Sequence, residues 1–337
     1  MLKASFRTIL LIPILLFSHE PVDIVYTWVD GEDPAWQNIK AREAEKELGV
    51  QTRSADATQA RRFRCREELK YSLRSIHQFA PWVRHIYIVT FNQKPSWIQE
   101  DPKITFVDHR EIFPDKSHLP TFNSMAIECH LHRIPGLQEH YVYFNDDFFL
   151  GRAVSFTDFF TESGKMKVFL SKVKMPKSKP KPDDDGFASA SKNTVQLLNK
   201  VIGKEKRHNH AHTPYPARKS VVCRIEKQFY KVFASVSSHK FRSLEDFTIT
   251  NGIIPYLAMY QGDAEKASID HKTIHFGKDL VHDTQKIQDL IERRPCFFCI
   301  EDTPEIESPE SKELLTNFFA SYFPTPAPWE KTGEEEQ

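Results

Sequence analysis

Asn145-Asp146-Asp147, at the end of the aromatic run Tyr141–Phe144, is the stretch best suited to chemistry. Two adjacent carboxylates among aromatic side chains are costly to desolvate unless a cation or hydrogen-bond donors compensate them. A divalent ion on a diphosphate is one compensator, because Mg²⁺ takes one or two carboxylates together with phosphate oxygens. A solvated turn in which an aspartate caps the next element uses the same residues, and the local sequence leaves both readings open. Asp30, in TWVDGEDP, closes an earlier apolar run beside Gly31, where the missing Cβ permits close backbone approach to a ligand. Asp-Gly and Asp-Pro also make ordinary turns, so here too a pocket and a turn stand side by side.

His212 ends the alternating series His208, His210, His212 in RHNHAHTPYP. Such a series can ligate a metal or simply solvate a loop; a single histidine can act as acid or base because its pKa lies near neutrality. Arg242, in HKFRSLEDF, precedes Ser243 and Asp246 at the spacing of a helix start. A phosphate held between Arg242 and that start fits the pattern, as does a surface arginine beside an ordinary cap. Cys296 and Cys299 form a CxxC with no second pair at zinc-ribbon spacing, and read as core cysteines.

The elements that must position these residues alternate between strand and helix. VDIVYTWVDG (22–31) reads as a buried strand running into a turn. A charged helix and loop follow over 40–62, then an amphipathic helix with Leu69, Leu73, Ile76 and Ala80 on one face, closed by Pro81. HIYIVT and ITFVDH are short strands, 124–134 a second helix, and YVYFNDDFFLG (141–151) a further strand. This rhythm implies an α/β class with a mainly parallel sheet flanked by helices, whose site lies at strand carboxyl ends near a topological switch point. The organisation expected is an apolar segment 1–20, an α/β half 21–173, a mobile Lys/Pro-rich loop 174–192, a more helical half 193–325 and a tail 326–337. Helical patterns fall near 195–202, 225–233, 246–260 and 314–322.

In bulk the chain has 337 residues, 46 Lys plus Arg against 46 Asp plus Glu, and 26 Phe, which implies a soluble globular protein with an aromatic core. The balanced charge gives no support for nucleic-acid binding. Five scattered cysteines fit a reducing, cytoplasmic compartment rather than a disulfide framework. The apolar run Ile9–Phe17 is too short to span a bilayer and contains Pro13, which leaves a signal or a peripheral membrane contact open.

Four blocks, in order, resemble the Stealth family of hexose-1-phosphate transferases: DIVYTWVDGEDPAW, the long stretch from RFRCREELKYSLRSI to YFNDDFFLG, HAHTPYP with FRSLEDF, and RRPCFFCIED. The resemblance covers most of the chain, from about Val22 to Asp302. It implies a nucleotide-sugar transferase-like, GT-A-related fold, a UDP-linked sugar donor, a glycan acceptor and a Mg²⁺ or Mn²⁺ cofactor. By position it implies that Asp30 and Gly31 line the donor pocket and that Asn145, Asp146 and Asp147 lie at the reacting diphosphate, the two aspartates on the metal. Asp147, His212 and Arg242 would be catalytic, with Asn123 and Arg133 as lesser substrate-binding positions. Cys65-Arg66 departs from the family pattern, which commonly has an Asp there, and this puts donor choice or even activity in question, although the main catalytic matches are intact.

Overall fold

The computed structural model describes residues 20–49, 51–64, 66–277, 279–302 and 308–331. The apolar segment before Glu20, and Cys65, lie outside them. Among the described residues no helix is long and apolar enough to cross a membrane.

The runs Val22–Thr27 (β1), His85–Thr90 (β2), Ile104–Asp108 (β3) and His140–Asn145 (β4) form strands. β1, β2 and β4 are almost entirely buried along their length, as strands covered on both faces must be, so their sequences are continuous apolar runs rather than alternating ones. They pair in parallel in the order β3-β2-β1-β4, and the sheet is closed by an antiparallel edge strand from the second half. The chain winds outward from β1 through β2 to β3, then returns to add β4 on the other side. The switch point therefore lies between β1 and β4, the place where an open α/β sheet leaves a crevice.

Phe148–Leu150 (β5) follows β4 directly, and Met166–Lys174 (β6), His208–His210 (β7), Tyr215–Arg218 (β8) and Ala264–Ala267 (β9) come next. His271–Phe276 (β10) and Phe297–Asp302 (β11) complete the set. β8 is the antiparallel edge of the main sheet; β10-β11-β5 and β7-β6-β9 are two smaller mixed sheets. The architecture is thus α/β with mixed sheets flanked by helices, less purely parallel than the sequence pattern implied.

Helix Glu68–Phe79 lies between two cores: Leu69, Leu73 and Ile76 enter the main one, while Tyr71 stacks on Phe319 at 4.9 Å in the second. That second core is built largely of phenylalanines, among them Phe149, Phe298, Phe318 and Phe323. Asp33 caps helix Pro34–Lys46, which starts before the charged stretch 40–62 and ends within it.

The second half carries more of the helices: Gly186–Val201, Lys219–Gln228, Tyr230–Ser238, Ile254–Gln261, Leu280–Arg293 and Pro309–Tyr322. Helix Gly186–Val201 starts inside the tract read as a loop, because Asp185 accepts from Ala188 N at 2.7 Å and caps it. Residues 124–134 are not one helix. They divide into Ser124–Glu128 and a 3₁₀ turn Leu131–Arg133, with His130 and His132 turned toward Ser237 and Glu226. Nor does a helix start at Asp246: a π-helical turn Ile249–Ile253 precedes helix Ile254–Gln261.

Candidate active site

The carboxyl end of β4 meets β8 and β11. Antiparallel pairing sets Tyr143 opposite Tyr215, three residues past His212, and His212 brings a ligand atom within 4.8 Å of Asp147. The turn into β5 is fixed from the other side, where Phe148 pairs with Cys299 and Ile300 N donates to Asp147 O at 3.3 Å. Ser72, on helix Glu68–Phe79, accepts from the Tyr26 hydroxyl at 2.7 Å and donates to the Phe148 carbonyl. The two aspartates therefore project from a turn tied to three neighbours.

Their environment is acidic and crowded, yet both keep some solvent-accessible surface. Burial, then Asp147, then Glu68 push the Asp146 carboxyl well above the usual range. Burial also raises Asp147, opposed by His212 and the Cys299 thiol and reinforced by Glu301. Cys299 Sγ donates to Asp147 Oδ2 at 3.3 Å, while Asp147 Oδ1 is buried without a hydrogen-bond partner. An orphaned carboxylate oxygen beside a second carboxylate is the kind of deficit a divalent cation fills. Asp147, His212 and Cys299 bring ligand atoms within 4.8 Å of one another. Of these, the thiol is pushed well up by burial and by Asp147, so it stays protonated and is a poor ligand for a hard ion.

His212 packs edge-on against Phe148, with ring centroids 4.8 Å apart. Its Nδ1 pairs with Glu301 Oε1, and Glu301 Oε2 pairs with His275 Nδ1 at 2.9 Å. Burial alone would lower the His212 pKa; Glu301 and Asp147 outweigh it and raise it. His208 and His210 serve the backbone instead: His208 Nδ1 meets Ser171 O, and His210 meets Ala211 O and Phe169 N. Burial holds His210 down to about 4, so it is neutral under ordinary conditions.

Arg242 donates from Nη2 to Ser124 Oγ at 3.0 Å, and its stem lies on Gly186, where a Cβ would come within 3.0 Å of it. Burial lowers its pKa against the pull of Glu128, Asp246 and Asp185. Asp246 is fully buried and holds the segment in place, accepting from Asn123 Nδ2 at 2.9 Å, Ser243 N at 2.8 Å and His239 Nδ1 at 2.7 Å. With its carboxylate so engaged, Asp246 stabilises a turn rather than a helix start.

Of the remaining residues singled out in the sequence, Asn123 is a buried cap and a partner of Asp246. Asn145 ends β4 beside Thr27 of β1. Asp30 accepts from Glu32 N at 2.9 Å, and its backbone is clamped by Gln93, whose side chain also reaches Asp33. Gly31 sits where an added Cβ would fall 1.8 Å from the Phe63 carbonyl oxygen, so its role in the structure is close packing. Arg133 pairs with Glu226 at 2.8 Å on helix Lys219–Gln228, beside His132. Arg66, half of the departure from the family pattern, is buried against Glu68. The sequence pattern assigned no role to Glu301, Glu68 or Ser72, and read Cys299 as a core cysteine and Asp246 as part of a helix start. All five lie within the blocks that resemble the family, but nothing local linked them to Asp147.

Comparison with known proteins follows this geometry. Residues 20–46, 62–168, 211–251 and 288–337 match, in order, conserved regions 1, 2, 3 and 4 of the Stealth proteins. The exopolysaccharide phosphotransferase SCO6021 of Streptomyces coelicolor is 42% identical over 316 residues, covering 92% of this chain and 57% of that protein. The exopolysaccharide phosphotransferase CpsY of Mycobacterium leprae is 38% identical over 321 residues, covering 93% of this chain and 58% of that one. The chain thus spans a little over half the length of these relatives. Among solved structures, the galactosyltransferase LgtC in complex with donor and acceptor sugar analogs aligns over 93% of this chain and 98% of its own, with 10% identity and a TM-score of 0.43. With all four conserved regions present in order, and the candidate site assembled from the second, third and fourth, the chain belongs to the Stealth family.

Proposed function

We propose that this chain is a sugar-phosphate transferase of polysaccharide synthesis, moving hexose-1-phosphate from a UDP-sugar to a glycan hydroxyl and releasing UMP. The observation that carries the reading is the convergence of Asp146, Asp147 and His212 at the carboxyl end of β4, in a chain similar to named exopolysaccharide phosphotransferases. The acceptor oxygen attacks the phosphorus that bears the sugar. That phosphorus breaks its bond to the bridging oxygen, and the nucleoside monophosphate leaves with the electron pair. Little covalent work falls to the protein, so alignment and charge stabilisation dominate.

Asp146 and Asp147 would hold Mg²⁺ or Mn²⁺, and the orphaned Asp147 Oδ1 fits that use. Such an ion, when bound, neutralises diphosphate charge. Arg242, clamped by Ser124 and the Gly186 helix start, offers a planar fork to phosphate oxygens. Asp30 and Gly31, a few residues beyond the end of β1, line the donor side, and Asn145 ends β4 beside Thr27 of β1; Asn123 shapes the Arg242 side through Asp246. His212 takes the acceptor proton. Glu301 and Asp147 raise its affinity for a proton, which suits a group that must accept one.

The test is single-turnover transfer with His212→Ala, in the presence of Mn²⁺ or Mg²⁺, a UDP-hexose and a glycan acceptor. Loss of about 10²–10⁴ in rate with the fold intact supports the assignment. Turnover near the native rate would remove His212 from the mechanism.

A further inference from the structure

We propose that Glu301 is the positioning residue of His212, holding the imidazole through Nδ1 so that Nε2 is left for the reacting groups beside Asp147. The inference rests on the role of His212 given above, and it adds a residue whose contribution the sequence did not disclose.

Three observations carry it. First, the sheet supplies the aim: β11 pairs with β5 through Cys299 and Phe148, so the next residue but one, Glu301, emerges at the level of the Asp147 turn. Second, Glu301 is itself held. Parallel pairing sets His275 of β10 directly beside Glu301, and His275 Nδ1 meets Oε2 at 2.9 Å, which leaves Oε1 for His212 Nδ1. Third, the ring is fenced by Phe148 at an interplanar angle of 84°, so its rotation is restrained by packing as well as by the carboxylate. A histidine whose Nδ1–H is given to a carboxylate carries its free lone pair on Nε2, the tautomer a general base requires. Glu301 keeps about a quarter of its side-chain surface exposed at 25%, against 69% for His275, so the inner contact to His212 is the better shielded of its two pairs.

The experiment compares Glu301→Gln, Glu301→Ala and the native chain. It uses donor-saturated turnover, KM for the UDP-sugar, and ¹⁵N NMR of His212 to read which ring nitrogen carries the proton. Glu301→Ala is expected to lower kcat about 10²-fold or more, in line with loss of the orienting acid of a catalytic triad. KM should stay within about threefold, because Glu301 does not bind the donor. Glu301→Gln, isosteric and able to accept through its amide oxygen, should fall between the two, and it carries the test if the alanine variant does not fold. The native His212 should show its proton on Nδ1, a signature lost in Glu301→Ala. A folded Glu301 variant with native kcat, alongside an inactive His212→Ala, would overturn the positioning role while leaving His212 in place. A native ring protonated mainly on Nε2 would overturn it too. Native turnover in His212→Ala would instead strike the parent reading, and the NMR result would still decide whether Glu301 holds the ring.

Discussion

Replacing Asp147 by Asn should make the metal-free protein more stable and the enzyme inactive. Burial, the leading influence on Asp147, raises its pKa despite attraction from His212 and the Cys299 thiol, with Glu301 adding repulsion. The net of these contacts thus disfavours the charged form. A carboxyl whose folded pKa is raised binds its proton more tightly folded than unfolded. Stability is then greatest below the unfolded carboxyl range and is lost as pH rises through the folded value, leaving a deficit at neutrality. Asparagine keeps an oxygen to accept from Cys299 and drops the charge, so Tm in EDTA should rise. The native protein should gain ~2–3 kcal/mol from Mn²⁺ or Mg²⁺ at about a hundred times its dissociation constant, and the variant little or none. Differential scanning calorimetry with and without metal, beside a turnover assay, reads all three quantities. A variant that melts lower in EDTA, or that keeps the native metal-induced increase, would refute the view that Asp147 is a crowded carboxylate awaiting a cation.

Other outcomes follow from the supporting structure. Asp246→Ala strips partners from Asn123, His239 and the Ser243 amide at once and should cost about 3 kcal/mol in urea denaturation, because it leaves buried polar groups unpaired. Gly31→Ala places a methyl 1.8 Å from the Phe63 carbonyl oxygen, so the backbone must move, at a cost of ~1–3 kcal/mol read as a lower urea midpoint. Burial works to raise Glu226, but hydrogen bonds from His132 and Arg133 prevail and hold it down to about 2. Its stabilisation is present above the unfolded glutamate range and is lost as pH falls through that value. Glu226→Gln should therefore destabilise near neutrality by about 2 kcal/mol and flatten the acid limb of the stability–pH profile.

The parts of the fold legible in the sequence were those fixed by local pattern. β1, β2 and β4 announce themselves as apolar runs because both faces are covered, and helix Glu68–Phe79 because its apolar face is regular. What escaped depends on distant pairing. Asp147 and Cys299 lie 152 positions apart, and no local periodicity could have shown that β5 joins β11 or that β8 runs antiparallel beside β4. The site followed the same division. Asp146, Asp147 and His212 were visible as residue types beside strand ends, while Glu301, which touches His212, lay in a block with no chemical signal of its own. The Lys/Pro tract masked the start of helix Gly186–Val201, since composition changes gradually where a cap such as Asp185 acts at one residue. Arg133 shows the converse: a polar residue in a recognised block whose present partner, Glu226, lies on helix Lys219–Gln228.

The claim on which the account depends is that the sugar travels with its phosphate, and a donor labelled with ³²P at the phosphorus nearest the sugar tests it directly. Incubated with the chain, divalent metal and glycan acceptor, that donor should place the label in the glycan and release unlabelled UMP. Label recovered in UDP, with unlabelled sugar on the glycan, would mean that the bond to the sugar carbon is the one that breaks and would contradict the account.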